Sequence, residues 1–559
     1  MLSLTAAAAA TSLRHTLANY EGGAKARPGG ISLNYDNSHF FAFHPLEEMN
    51  AAGVDAWVDQ FAGMQVDYLF FCPNSQRSSV ASEVRQSVWD GYHPKEDNNQ
   101  PFLAAIPDRP YPGYSCISNE RQHFRNWVQG AWLLHQQGVD PYARWIARCR
   151  KYGIHPWLSM RMNDVHYVDK PLHPIHDRFW KEHPEYRRDP NDKYNGQAFD
   201  YGRPEVRAYE MTYVRELIFR YNMDGFELDW MRNPFHFKAG QEKEGLAILT
   251  KFTAEVRYLL DQREKEVGHR IQLAARVPTR PETALGLGFD VAAWAERRLI
   301  DRLGVTPFLF TQFDIPVEQW KELLGGHPVT LEAGLMVTIL PFAGGLSTSH
   351  SPETARGAAM SLLDRGADHI YLFNFFDDVP VGVTGEAYRQ SGPGRAYAQV
   401  AHQLGSMETM AGKSRRHLVT FDETWAPSEK PEHLLPRDFP PGSKFKFKIP
   451  TGPSPVKGQA VQARLAVGPF ESGNVPKWKI LVNGQDCPPL GFMTLPSTSQ
   501  PASAFEVPGK AVGRGFNEVE IYNPSDTTAR LVWLELALSD TAGKWPVCGV
   551  DVQLLWPEC

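Results

Sequence analysis

The chain has 559 residues, 22% of them charged and 42% apolar, and its 58 Lys and Arg against 64 Asp and Glu leave a formal net charge of −6. These values describe a globular protein with enough chain for more than one core. They argue against a nucleic-acid binder, and no apolar run reaches the about 18 residues of a membrane helix.

Residues 1–29 read as an N-terminal tail. Its opening MLSLTAAAAATSL has the apolar stretch of an export signal but no basic residue ahead of it, which leaves periplasmic, secreted and cytoplasmic placement open. The six cysteines contain no CxxC pair and point to neither a zinc site nor a disulfide scaffold.

From residue 30 to 412, short strand-like runs alternate with amphipathic helical stretches. Eight strands are expected, at 31–36, 66–72, 155–161, 224–230, 270–276, 301–306, 329–336 and 369–375, each bounded by turn or polar residues. Helical patterns such as PYARWIARCRKYG and SPETARGAAMSLLDRG separate them, the latter opened by Ser351. Eight strand-then-helix units predict a (β/α)8 TIM barrel, with a doubly wound sheet as the rival. The connections after strands two and three are long, and both leave the C-terminal face of the barrel, so they read as walls over a site. From 413 to 559 proline and glycine become dense and alternating runs such as KFKFKIP and RLVWLELALS appear, which predicts a β-sandwich accessory domain.

A barrel of this kind places its chemistry at the C-terminal ends of its strands. Strand one ends at Asp36; strand three runs into Arg161, Asn163, Asp164 and His166; strand four carries Glu227, Asp229 and Arg232; strand five ends at Arg276; strand eight carries Asn374, followed by Asp377 and Asp378. In DGFELDW a period of two puts Gly225, Glu227 and Asp229 on one face, which must look into the barrel. These carboxylates suit sugar hydroxyls, or pair with Arg232 and Arg276 in a buried network. Asp164 and His166 are two residues apart and able to share a hydrogen bond that favours the imidazolium, which suits His166 to proton donation. Arg161, Arg232 and Arg276 form three guanidinium forks matched to a carboxylate, unless they only neutralise Glu227, Asp229 and Asp164. His173, His176 and His183 have loosely metal-like spacing, but no helix holds them, and no metal site or cofactor is expected. HExxH, GxSxG, Walker A and GxGxxG motifs are all missing from the chain.

Asp36 in LNYD, the Arg161, Asp164 and His166 set in RMNDVH, Arg232 in DWMRNPF and Asn374 in YLFNFF resemble the family 156 glycoside hydrolases, exo-acting sialidases with a (β/α)8 barrel and a β-rich accessory region. The DGxxxDW feature is similar more broadly to glycosyl-hydrolase-like barrels. The resemblance covers strands one, three, four and eight. It implies that Asp36 is the base on water, that His166 supported by Asp164 is the acid, and that Arg161, Arg232 and Asn374 hold the sugar. The expected partner is a glycan ending in an acidic sugar, with a uronic or neutral glycoside, or glycan binding without catalysis, as the alternatives; a homo-oligomer is allowed. Charge adds a stereochemical expectation. A carboxylate nucleophile would be repelled by a carboxylated anomeric centre, whereas Asp36 held one water away would give direct displacement and an inverted product.

Overall fold

In the computed structural model, which describes residues 30–96, 99–108, 120–375, 392–468, 477–496, 498 and 500–545, the eight expected strands close into an all-parallel barrel. They are β1 Ile31–Tyr35, β2 Val66–Phe71, β3 His155–Arg161, β4 Gly225–Asp229, β5 Gln272–Val277, β6 Arg302–Val305, β7 Thr330–Met336 and β8 His369–Phe373. Each strand pairs with its sequence neighbours, and β8 returns to β1. The tail at 1–29, Asp377 and Asp378 lie outside the described residues.

The barrel interior is filled in layers, as side chains of alternating residues must fill it. Deepest lies an ion pair between Arg302 and Glu332, with the Arg302 guanidinium 3.8 Å from the Tyr68 ring centre and Ser32 donating to Glu332 at 2.6 Å. Above it Phe70, Trp157, Ala274, Met336, Tyr371 and Phe373 pack together. Trp157 stands opposite Gly225 in the β3–β4 register, and a Cβ on Gly225 would come within 2.2 Å of the indole. The space beside Gly225, next to the carboxylates of DGFELDW, is therefore filled by the indole of Trp157.

The outer helices follow their sequence signals. In Pro141–Lys151, Asp140 caps the N-terminus by accepting from Ala143 N at 3.1 Å, and Tyr142, Trp145, Ile146 and Cys149 form the buried stripe. Pro352–Asp364 begins with a capping box between Ser351 and Thr354. One helix was not expected. The long connection after β2 contains Glu120–Gln136, whose Phe124, Trp127, Val128, Ala131 and Leu134 are buried, so much of this wall is helical. Among the described residues no helix is long and apolar enough to cross a membrane.

Beyond the barrel, antiparallel strands form two further sheets. Continuing the numbering, these strands are β9 Arg415–Leu418, β10 Arg437–Phe439, β11 Lys444–Pro450, β12 Val461–Val467, β13 Lys479–Val482, β14 Gln485–Cys487, β15 Pro489–Thr494, β16 Pro501–Val507, β17 Phe516–Tyr522 and β18 Ala529–Leu538. One sheet runs β9-β18-β12-β16-β15, with β10 also on β18, and the other runs β11-β17-β13-β14. Alternation along β18 sends Leu534, Leu536 and Leu538 into the sandwich core and Trp533 into the apolar cluster of the barrel. Next to Trp533, Glu535 is fully buried between Arg416 at 2.6 Å and Arg464 at 3.1 Å.

Sandwich and barrel meet where the Pro352–Asp364 helix lies on β9, and a Cβ on Gly357 would fall 1.9 Å from the Arg416 carbonyl oxygen. Gly357→Ala must therefore push the helix off the sheet. We expect a loss of about 1–3 kcal/mol in chemical denaturation, the usual cost of overpacking.

Candidate active site

Five of the residues singled out in the sequence meet at the C-terminal mouth of the barrel. Arg161, the last residue of β3, bridges two carboxylates: it binds Asp36 at the end of β1, and its Nη1 donates to Asp164 Oδ2 at 2.7 Å. The other oxygen of Asp164 accepts from the backbone N–H of His166 at 3.0 Å and lies 2.8 Å from His166 Nδ1. Arg232, after β4, closes the ring. Its Nη2 is 3.7 Å from Asp36 Oδ2 and 3.2 Å from His166 Nε2. His166, with a third of its side chain exposed, is the most accessible of the five.

The electrostatics follow from these contacts. Burial opposes ionisation of Asp36, but the charges of Arg161 and Arg232 and the bond from Arg161 outweigh it and bring its pKa down to about 2. Asp164 is likewise buried, yet His166, Arg161 and Arg232 hold it well below the ordinary carboxylate value. Both aspartates are anionic at neutral pH.

The loop carrying Asp164 and His166 is braced from below. Asn74, just after β2, accepts from Arg161 N at 3.2 Å and donates to its carbonyl at 3.1 Å. Gln76 donates to the Asp164 carbonyl at 2.9 Å and receives Asp177 N at 3.3 Å. His176 donates through Nε2 to the Tyr167 carbonyl at 2.8 Å, and Tyr167 stacks on His173 at 4.2 Å. These histidines are thus props for the loop that carries Asp164 and His166, and among the described residues no group of three or more His, Cys, Asp or Glu is arranged to hold a metal. Tyr167 has φ 55°, uncommon for a bulky residue, and Asn374 has the same value. Asn374 lies beside β1, its N–H 3.4 Å from the Asn34 carbonyl, and its buried Oδ1 has no partner.

The remaining candidates lie elsewhere. Asn163 is buried, with its amide clamped to both the N–H and the carbonyl of Phe199 at 2.9 and 3.0 Å; it pins the wall after β3 and does not face the mouth. Its strand alternation is lost because the chain bends away immediately after Arg161. Arg276 is fully buried: Nη1 lies 2.9 and 3.1 Å from the two oxygens of Asp229, Nε donates to Thr306 at 2.8 Å, and the guanidinium is 3.8 Å from the Phe373 ring centre. Glu227, one layer deeper, accepts from Ser159 at 2.6 Å and Tyr371 at 2.8 Å. Burial and the Asp229 charge push its pKa up to about 8, so it carries a proton at neutral pH. Glu227, Asp229 and Arg276 therefore form the structural network that was the alternative reading, which leaves two arginines, Arg161 and Arg232, at the mouth. Tyr35 faces out of the barrel, its hydroxyl 2.5 Å from that of Tyr397.

Three residues escaped the sequence reading. Asn74 and Gln76 sit at the end of strand two, a strand end that offers no charge to attract attention. Tyr194, in the wall after β3, keeps 44% of its surface exposed; burial raises its phenol pKa, and the charges of Asp164 and Arg232 reach it. The neighbouring Asn195 accepts from Asn233 at 2.8 Å, which ties this wall to the segment bearing Arg232.

No protein-family model and no curated protein sequence matches the chain. Among solved structures it is similar to a cycloisomaltooligosaccharide glucanotransferase of a Paenibacillus species (11% identity, TM-score 0.31, covering 91% of this chain and 57% of that one). It is also similar to a GH36 alpha-galactosidase of Geobacillus stearothermophilus (12%, TM-score 0.33, 93% and 56%) and to a trehalose-6-phosphate hydrolase of Bacillus licheniformis (10%, TM-score 0.35, 88% and 99%). The chain thus spans little more than half the length of the first two.

The pairing of the two arginines predicts different consequences. Arg276→Met leaves the Asp229 carboxylate buried without its cation and should cost about 3–5 kcal/mol of stability. Arg232→Met also removes a buried guanidinium, but Asp36 keeps its pair with Arg161, so the loss in chemical denaturation should be smaller than for Arg276→Met.

Proposed function

We propose that the protein is a glycoside hydrolase that removes a terminal acidic sugar, with sialic acid as the leading substrate, by inverting single displacement. The observation that carries this reading is the pairing of an ionised Asp36 with an Asp164-supported His166 on opposite sides of Arg232 at a barrel mouth. Asp36 takes a proton from the attacking water. His166 gives one to the departing glycosidic oxygen, and Asp164 stabilises the imidazolium and fixes the ring. Arg232 and Arg161 attract the substrate carboxylate, and Asn374, with an unpartnered buried oxygen, adds a polar contact to the sugar. A carboxylate nucleophile would approach the substrate's own carboxylate at bonding distance, while a base one water removed avoids most of that repulsion.

A panel of aryl sialosides, aryl glucuronides and neutral aryl glycosides tests the reading. Turnover of the acidic members is expected, and no turnover of any member overturns it. Proton NMR of the first-formed sugar, recorded before mutarotation, should show the inverted anomer. A retained anomer removes Asp36 as the base. His166→Ala should lose about 10²- to 10⁴-fold on natural glycans, whose alkoxide needs a proton, and much less on activated phenolic leaving groups. Equal losses on both would exclude His166 as the acid.

A further inference from the structure

We propose that Arg232 is a latch on both proton-transfer groups, released by the carboxylate of the substrate itself; the proposal rests on the acidic-glycoside reading above. A guanidinium only donates and a carboxylate only accepts. The contacts of His166 therefore assign its proton: Nδ1 carries it toward Asp164 at 2.8 Å, and Nε2 offers its lone pair to Arg232 Nη2 at 3.2 Å. In the substrate-free site the imidazole is thus the neutral tautomer, and the atom that must deliver a proton to the leaving group has none. The same Nη2 lies 3.7 Å from Asp36 Oδ2, so with Arg161 it makes Asp36 the counter-ion of two cations. An aspartate so held is a reluctant base toward water.

Of the two arginines only Arg232 is placed to move. Arg161 is anchored through Nη1 to Asp164, and its backbone is clamped by Asn74. Arg232 holds its carboxylate at the looser distance of 3.7 Å and has no second carboxylate pair; the Nε of both arginines is buried without a hydrogen-bond partner, so it does not separate them. A sugar carboxylate arriving at Arg232 offers it a bidentate pair, better than either contact it leaves. As Nη2 withdraws, His166 Nε2 becomes free to take a proton from solvent, and Asp36 exchanges one of its cations for a neighbouring anion. The water then loses a proton to Asp36 as its oxygen bonds the anomeric carbon; the glycosidic bond breaks, and its oxygen takes the Nε2 proton. Asp36 returns its proton to solvent when product leaves. The groups facing Asp36 besides the arginines and His166 are the Cys72 thiol and the His123 imidazole, which burial moves to about 11 and about 3, so both stay uncharged at neutral pH. Neutral glycosides, having no carboxylate, leave the latch closed, and selectivity appears in kcat as well as in binding.

The test is a titration that needs no turnover. The full chain labelled with [4-13C]aspartate, with Asp36→Asn to identify the resonance, is titrated alone, with sialic acid, with glucuronic acid, and with the sialic acid methyl ester. The Asp36 midpoint, near 2 in the free protein, should rise by about 1–3 pH units with a bound acid and not with the ester. In folded Arg232→Met the free midpoint should already be raised, and the gap between free and acid-bound forms should narrow. A midpoint unmoved by an acid that binds, or moved equally by the ester, overturns the latch even if sialosides are hydrolysed. If neither acid binds, the acidic-sugar reading falls and the latch with it.

Discussion

The site depends on one buried guanidinium. Arg161 is nearly inaccessible to solvent, and its charge is tolerable there only because Asp36 and Asp164 flank it. That double pairing places the two aspartates, and Asp164 in turn orients His166. A carboxylate after β1 and an imidazole beyond β3 are thus positioned by the end of a single strand. Arg161 and Arg232 hold both aspartates ionised, so two negative charges come with the packing of this strand end.

The barrel beneath supports this ring. Its interior carries ion pairs at two levels, Arg302 with Glu332 and Arg276 with Asp229, separated by aromatic rings. Phe373 lies against both Arg276 and Arg232, at 3.8 and 5.3 Å from their guanidinium carbons. The structural network therefore meets the site through a ring face, a contact that leaves the hydrogen-bond donors of Arg232 unoccupied. The sandwich contributes from outside. Glu535, Arg416 and Arg464 place a buried charge set beside the Pro352–Asp364 helix that leads into β8, the strand bearing Phe373 and Asn374.

Much of this was legible in the amino-acid sequence. All eight barrel strands lie within two residues of their expected limits, because period-two patterns bounded by turn residues are local signals. Asp36, Arg161, Asp164, His166 and Arg232 were legible too, since polar residues at strand ends in a barrel converge on one face whatever the packing below. The Glu120–Gln136 helix was harder to see, because its apolar stripe is interleaved with Arg, Gln, Asn and His in a connection otherwise rich in proline and polar residues.

What the sequence alone determined was therefore the class of fold, the direction in which Glu227 and Asp229 face, and the membership of the ring of charged residues at the mouth. What only the tertiary structure decided was depth and partnership. Arg232 and Arg276 look alike along the chain, each near the end of a strand rich in apolar residues; one lies at the mouth with an unpartnered nitrogen, the other is sealed against Asp229. Asn163 turned to the wall instead of the sugar because β3 ends two residues before it. Periodicity reports which face of a strand a side chain occupies, but its height in a barrel is set by the stagger between strands, and its partner by residues far away in sequence.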